Sequence, residues 1–346
     1  MRDGEEQAVV VGIKDVARHA GVSSGTVSNT LNRPDVVSPA TRAKVLKAIK
    51  ELGYVPDESA RLLRSGESRL LAALVLDLAN PFFVDVVRGA ELAAQEAGLN
   101  LITCNSAQKA ESEASHLEML AQQRVRGVLL CPVDDDSGRS MRSIARSMLP
   151  HVLIDSNPSH YAACSVLVDD VRGGQLAAQH LLEMGHRHIA LVNGPMRLAP
   201  CRDREKGVRT VIETSTERAR LTVFSAEGLD VTAGREAGQR LHEVADRPTA
   251  VICVNDLTAL GVLQAMTAAG VRVPDEMAIV GYDDIEFASA AAVPLSSVRQ
   301  PTRQLGRSAA RLLIEETDAT KAADHQHQKV VFLPELVVRE SSRLQR

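Results

Sequence analysis

Two groups of side chains in this sequence have the types and spacing for molecular recognition. Residues 23–32 read SSGTVSNTLN, hydroxyls and carboxamides interrupted by Val27 and Leu31 at i, i+4. If Val27 and Leu31 face inward, Ser24, Gly25, Ser28 and Asn29 face outward, small enough to let a helix backbone come close to a DNA groove. The second group is Asn80-Pro81-Phe82-Phe83, Asp155, Asn255-Asp256 and Asp283-Asp284, each at or just past the end of a short apolar run. Gathered in one place, these acceptors and amides would hold the hydroxyls of a small polar molecule, although Asn or Asp after a strand is most often only a helix N-cap. Catalytic patterns are missing: there is no GxGxxG after a strand, no Walker A, no GxSxG and no HExxH, so no enzyme is expected. No cofactor is expected either.

The elements that must position these residues can be read around them. From Ile13 a short helix buries Val16, Ala17 and Ala20 and stops at Gly21, suited to the tight turn between two helices. Ser23 is a good N-cap for the second helix, and Ser38-Pro39 caps and opens a third whose Val45, Ile49 and Leu52 close a miniature core before Gly53. Beyond Leu70, apolar runs at 70–76, 99–104, 127–132 and 151–155 alternate with helical stretches, and a second series follows at 188–193, 221–225, 250–255 and 277–284. Continuous rather than alternating runs predict strands covered on both faces, hence two doubly wound parallel-sheet subdomains in an α/β core. Ligands of such sheets bind beyond the carboxyl ends of the strands, where the second group lies.

Composition narrows the classes further. The chain has 346 residues, 45% hydrophobic, with no Trp, three Tyr and five Phe, so its core is aliphatic. No apolar run reaches the ~18 residues of a membrane span, and the acidic Met1 to Gln7 lacks a signal-peptide apolar region, which predicts a cytoplasmic protein with no membrane partner. Five cysteines, Cys104, Cys131, Cys164, Cys201 and Cys253, are widely spaced with no CxxC and no Cys/His pairing at ligand spacing. They read as buried apolar residues in a reducing compartment; His180, His186 and His188 read as ordinary helix or strand residues, and no metal site is expected. The net charge of −4 is uneven: Gly12 to Arg64 carries nine Lys/Arg against five acids, leaving the remainder at −8. A small basic module on a larger acidic one suits a DNA-binding headpiece on a regulatory core.

The runs IKDVARHAGVSSGTVSNTLN and VSPATRAKVLKAIKELGYVPD resemble the headpiece of the lactose-repressor (LacI/GalR) family of transcriptional regulators. The resemblance implies that Ser24, Gly25 and Asn29 read bases, and that Ser23, Thr26, Ser28, Asn32, Ser38, Thr41 and Tyr54 grip phosphates. An Asn29 amide pairing with adenine would supply ~1–3 kcal/mol of discrimination; Gly25 offers no side chain, so readout should lean on Asn29, water and DNA shape. DESARLLRSGES (57–68) is by itself a linker with ordinary apolar residues. The family likeness makes it a hinge helix that folds when two subunits sit on the operator, with Ala60 and Leu63 in the minor groove.

The likeness continues through NPFF, VDDVRGGQLAAQHLLEMGHRHIALVNGP, CRDREKG, VNDLTALG and VGYDD followed by SSVRQP, which resemble the family's periplasmic-binding-protein-like core. It implies an effector pocket of Asn80, Phe82, Phe83, Asp155, Arg204, Leu229, Asn255, Asp283 and Gln300, with Arg204 forking onto ligand oxygens. Sugar-binding members carry an aromatic where this chain has Gly228-Leu229-Asp230, so a ring sandwiched between two aromatics is not expected. The expected organisation is a disordered tail at 1–11, a headpiece at 12–56, a hinge and linker at 57–68 and a core at 69–339. Within the core, the first subdomain takes about 69–167 plus 301–328 and the second about 168–300 plus 329–339. The expected function is a repressor that binds a near-palindromic operator as a homodimer or larger oligomer and is switched by a small polar effector. A solute-binding protein without a DNA role would explain the core equally well but leaves the headpiece without a purpose.

Overall fold

A computed structural model describes residues 11–55, 68–135, 137–156, 162–216 and 218–343, in two units that divide between Glu67 and Ser68. The hinge positions Ala60 and Leu63, and nearly all of the expected tail, lie outside the described residues.

Among its described residues the first unit contains three α-helices, α1 (Ile13–Ala20), α2 (Ser24–Asn32) and α3 (Pro39–Leu52). Gly21 and Gly53 stop α1 and α3 in the left-handed conformation at φ 66° and 61°, which glycine adopts without a Cβ clash. Ser23 and Ser38 accept from the backbone N–H groups of Thr26 and Thr41, satisfying donors that the first turn of each helix leaves open. Val16, Ala17, Val27, Val45 and Ala48 are buried together, with Leu31, Ile49, Leu52 and Tyr54 packed at the margin.

In the second unit, β1 (Leu70–Val75), β2 (Asn100–Asn105), β3 (Gly127–Leu130), β4 (His151–Ile154) and β5 (Cys164–Val168) belong to one sheet, and β6 (His188–Asn193), β7 (Arg220–Ser225), β8 (Ala250–Cys253), β9 (Ala278–Asp283) and β10 (Ser296–Arg299) to the other. A strand from the end of the chain completes each: β11 (Lys329–Phe332) the first and β12 (Glu335–Val337) the second. The orders are β11-β5-β4-β3-β1-β2 and β12-β10-β9-β8-β6-β7, and among the described strands only β12 runs antiparallel to its neighbour. The order reverses between β1 and β3 and again between β6 and β8, which opens a crevice past the strand ends at each point. The helices are α4 (Pro81–Glu96), α5 (Ala110–Gln122), α6 (Arg139–Ser147), α7 (Asp170–Glu183), α8 (Ala199–Thr214), α9 (Val231–Glu243), α10 (Asp256–Ala268), α11 (Glu286–Ala290) and α12 (Thr302–Thr317).

Three helix pairs, α4 with α12, α7 with α8 and α9 with α10, cross at glycines from both partners. A Cβ on Gly89 would overlap the Arg303 carbonyl, and one on Gly306 the Val86 carbonyl, so α4 and α12 touch backbone to backbone. Two expectations about the strands need correction. Lys329–Phe332, assigned to the second subdomain, pairs in parallel with β5, because α12 packs under β3, β4 and β5 and delivers the chain to that sheet's free edge. The strands β5 and β10 were not anticipated; in β10, Ser296 and Ser297 are fully buried and spend their hydroxyls on the Arg339 carbonyl and on Asp256 Oδ1, so that strand lacks an apolar signature.

Candidate functional site

The core's cavity lies at the strand ends, where the two subdomains meet. A cleft of about 570 Å³, partly open to solvent, is lined by segments that follow β1, β3 and β4 in one sheet and β6, β7, β8 and β9 in the other. Eight of the nine expected pocket residues line it: Asn80, Phe82, Phe83, Asp155, Arg204, Leu229, Asn255 and Asp283. The ninth, Gln300, is not part of the lining; its Nε2 donates to Asp283 Oδ1 at 2.7 Å and so orients that carboxylate.

Several of these side chains serve local structure and the site together. Asn80 caps α4 by accepting from the Phe82 N–H at 3.0 Å, while its Nδ2 reaches across to Asp283 Oδ2 at 3.5 Å. Asn255 caps α10 through Thr258 and donates its Nδ2 to the Leu229 carbonyl at 2.9 Å, which sets Leu229 against the cavity. Phe82 and Phe83 meet edge to face with centroids 5.0 Å apart and give the lining its aromatic surface, to which Leu229 adds an aliphatic side chain. The second acids of the two pairs point elsewhere. Asp256 is fully buried, held by Ser297 and the Ile285 N–H, and Asp284 is ion-paired to Arg299 and Arg339.

Electrostatics concentrate on Asp155, Asp170, Arg204 and Asp283. Arg204 donates from Nε to Asp170 Oδ1 at 2.8 Å and from Nη1 to the Val254 carbonyl at 2.6 Å, so two of its nitrogens are already committed. The expected two-pronged fork onto a ligand is thereby left to the Nη2 hydrogens and the second hydrogen of Nη1, which stands 3.8 Å from Asp283 Oδ1. Burial, with the charges of Asp170 and Asp283 close by, pushes the Asp155 carboxyl up to about 8 against the pull of Arg204. Burial likewise raises Asp283 to about 6, while Arg204, Gln300 and Asn80 hold it down. Asp155 and Asp283 occupy the left-handed region at φ 53° and 102°, strain of the kind that collects at binding sites. Asp170 and Asp135 were missed: Asp135 accepts from Arg202 Nη2 at 2.9 Å and from Ser156 Oγ, linking the subdomains at the cavity, and no local pattern marks such a partner.

In the first unit, α2 presents its polar residues to the outside. Gly25 and Asn29 are exposed and Ser24 and Ser28 half-buried, and no intramolecular hydrogen bond engages the Asn29 amide among the described residues. Asn32 differs, because its Nδ2 donates to the Ser28 carbonyl at 2.8 Å. Ser23 and Ser38 are capping residues with exposed side chains, and Thr26 and Thr41 hydrogen-bond to their hydroxyls. Tyr54 packs against the headpiece core.

Comparison with known proteins places both units. Residues 12–57 match the family described as bacterial regulatory proteins, lacI family, and residues 178–342 match the periplasmic binding protein-like domain. The HTH-type transcriptional repressor PurR of Photobacterium profundum is 34% identical over 331 residues, which cover 95% of this chain and 98% of that protein. Among solved structures, the complex of the transcriptional regulator CelR with cellobiose is 32% identical, covers 96% of this chain and 100% of its own, and superposes with a TM-score of 0.72. The lac repressor dimer bound to operator and the anti-inducer ONPF gives 27% identity, coverage of 96% and 99%, and a TM-score of 0.84. These relatives carry the headpiece as well as the core, which removes the solute-binding alternative, and they are regulators rather than enzymes. The chain belongs to the lacI family of bacterial regulatory proteins, DNA-binding repressors with an effector-binding core.

Proposed function

We propose that this repressor binds its operator as a homodimer and is switched by a neutral, hydroxyl-rich small molecule held in the cavity between its subdomains. The observation that carries the effector's chemistry is Asp155: its Oδ1 is buried at the cavity and has no hydrogen-bond partner among the described residues. A buried carboxylate oxygen left unpaired costs about 1–3 kcal/mol or more, so a ligand donor placed there binds with that gain. Even with Asp155 protonated, the carboxylates of Asp170 and Asp283 outnumber the one guanidinium, which disfavours an anionic ligand. Hydroxyls suit both states of Asp155, as they accept from its protonated form and donate to its ionised one. A lining whose aromatic rings are Phe82 and Phe83, with Leu229 aliphatic, accommodates an aliphatic or puckered ring better than a flat one stacked on both faces. Binding at a site made by both subdomains favours one relative arrangement of them. To act as a switch, the ligand must bind the two arrangements with different affinity, a coupling of typically ~1–3 kcal/mol.

On the DNA side, two copies of α2 would enter successive major grooves, with Ser24, Gly25 and Asn29 toward the bases and Ser23, Thr26, Ser28, Asn32, Ser38, Thr41 and Tyr54 toward phosphates. Ala60 and Leu63 would meet the minor groove between them. A thermal-shift screen of the full chain with neutral sugars and polyols, sugar acids and nucleobases tests the effector, and each hit is then added to an operator titration. The reading expects neutral polyols to raise the transition and to change operator affinity. Stabilisation by anionic compounds alone, or hits without effect on DNA binding, would overturn it.

A further inference from the structure

Four side chains from three separate segments converge where β5 meets β11, away from the effector cavity. Cys164 opens β5, Glu316 lies in the last turn of α12, and His325 and His327 stand two residues apart on the way into β11. Cys164 Sγ is 3.1 Å from His325 Nε2 and 3.9 Å from His327 Nδ1. Glu316 Oε2 is 4.0 Å from His325 Nε2, and one ligand atom from each of the four lies within 4.8 Å of all the others. Around a tetrahedral zinc ion with bonds of about 2.0–2.3 Å, ligand atoms stand roughly 3.3–3.7 Å apart. The observed spacings straddle that range, and the exposed His327 and half-buried Glu316 have room to adjust.

We infer that Cys164, Glu316, His325 and His327 form a binding site for a borderline-soft divalent metal ion of the zinc type. A thiol–imidazole hydrogen bond would explain the Cys164–His325 pair but neither of the other two ligands. Glu316 Oε2 is buried with no hydrogen-bond partner among the described residues, although it sits beside two imidazoles and a sulfur. The Gln328 N–H donates to Cys164 Sγ at 3.4 Å, the second-sphere bond that stabilises a metal-bound thiolate. One thiolate, one carboxylate and two neutral imidazoles carry two negative charges, which a divalent cation neutralises as the thiol gives its proton to solvent. Sulfur and nitrogen donors suit zinc or cobalt and not magnesium or calcium, which require oxygen. Four protein ligands close the coordination shell, so the site is structural. It ties the connection between α12 and β11 to β5, the strand against which the short edge strand β11 pairs.

The test uses the full-length, untagged chain, reduced and stripped by chelator, then titrated with Co²⁺ and back-titrated with Zn²⁺. The site predicts one metal per chain by elemental analysis, a sulfur-to-cobalt charge-transfer band with the intense visible absorption of four-coordinate cobalt, and loss of both on adding zinc. Cys164→Ser removes the charge-transfer band. His327→Gln, a change at an exposed side chain that leaves the fold intact, weakens metal retention about tenfold or more and abolishes the zinc-induced rise in thermal transition. Weak six-coordinate cobalt spectra, substoichiometric metal, or retention unchanged in His327→Gln would each overturn the assignment.

Discussion

The guanidinium carbon of Arg204 lies 3.6 Å from the centroid of the Tyr282 ring, and Nε of the same group donates to the buried Asp170. Stacking and the ion pair together make Arg204 a fixed part of the cavity floor. Its first role is to neutralise Asp170 in the second subdomain, and only then to face a ligand.

Arg204→Ala is accordingly expected to destabilise the core by about 3–5 kcal/mol, because it strands the Asp170 carboxylate in a buried place. Arg204→Lys should recover little, since an ammonium cannot stack flat on Tyr282 while donating to both Asp170 and the Val254 carbonyl. Urea unfolding followed by circular dichroism reads both variants. Wild-type stability with a lost effector response would return Arg204 to a purely ligand-binding role.

Asp155 makes the core's stability depend on pH. A carboxyl raised in the folded state to about 8 keeps its proton where the unfolded chain has released it. The resulting penalty is absent below the ordinary carboxylate range, grows as pH rises, and is complete above about 8. Asp283, raised to about 6, adds the same sign over a narrower window. The ligand-free protein should therefore lose thermal stability between pH 5 and pH 8 by more than an Asp155→Asn variant does. Parallel melting curves for the two proteins across that window would exclude the raised carboxyl.

Legibility in the sequence followed the range of the interactions. The headpiece was readable because its determinants are local: Ser23 and Ser38 cap their own helices and Gly21 and Gly53 end theirs. Most of the parallel core was readable from strands apolar on both faces, although the apolar β5 was passed over, and β10 escaped because the partners of its serines lie in other elements, at Arg339 and Asp256. Most of the cavity could be listed by looking just past strand ends, whereas Gln300 stands behind Asp283. The commitment of Arg204 to Asp170 and Tyr282 was hidden for the same reason, as was the Cys164–His325 contact, which spans 161 positions and has no spacing to reveal it.

The α4–α12 crossing gives a prediction that no side-chain pattern supplies. Gly306 stands where a Cβ would overlap the Val86 carbonyl, and Gly89 faces Arg303 in the same way. Backbone cannot yield as a flexible side chain can, so Gly306→Ala must push the helices apart and open the packing of Leu305, Ala309 and Ala310. A loss of about 1–3 kcal/mol is expected, the usual cost of overpacking. Unchanged thermal stability would show that α4 and α12 can separate freely.

Asn29 and Asn32 lie one turn apart on α2 and are distinguished by their hydrogen bonds. Asn32 spends its amide on the Ser28 carbonyl, whereas the exposed Asn29 amide has no intramolecular bond among the described residues. Asn29→Ala should therefore leave headpiece stability unchanged while removing about 1–3 kcal/mol of preference for one base pair in each half-site. Its affinity for unrelated DNA should be preserved, because that affinity comes from phosphate contacts and carries the salt dependence. Asn32→Ala should instead weaken binding evenly on every sequence and lower the headpiece's melting temperature slightly. Anisotropy titrations with operator and scrambled duplexes at matched salt separate these outcomes: an even loss on both duplexes for Asn29→Ala would make Asn29 a phosphate contact and shift base reading to its neighbours on α2.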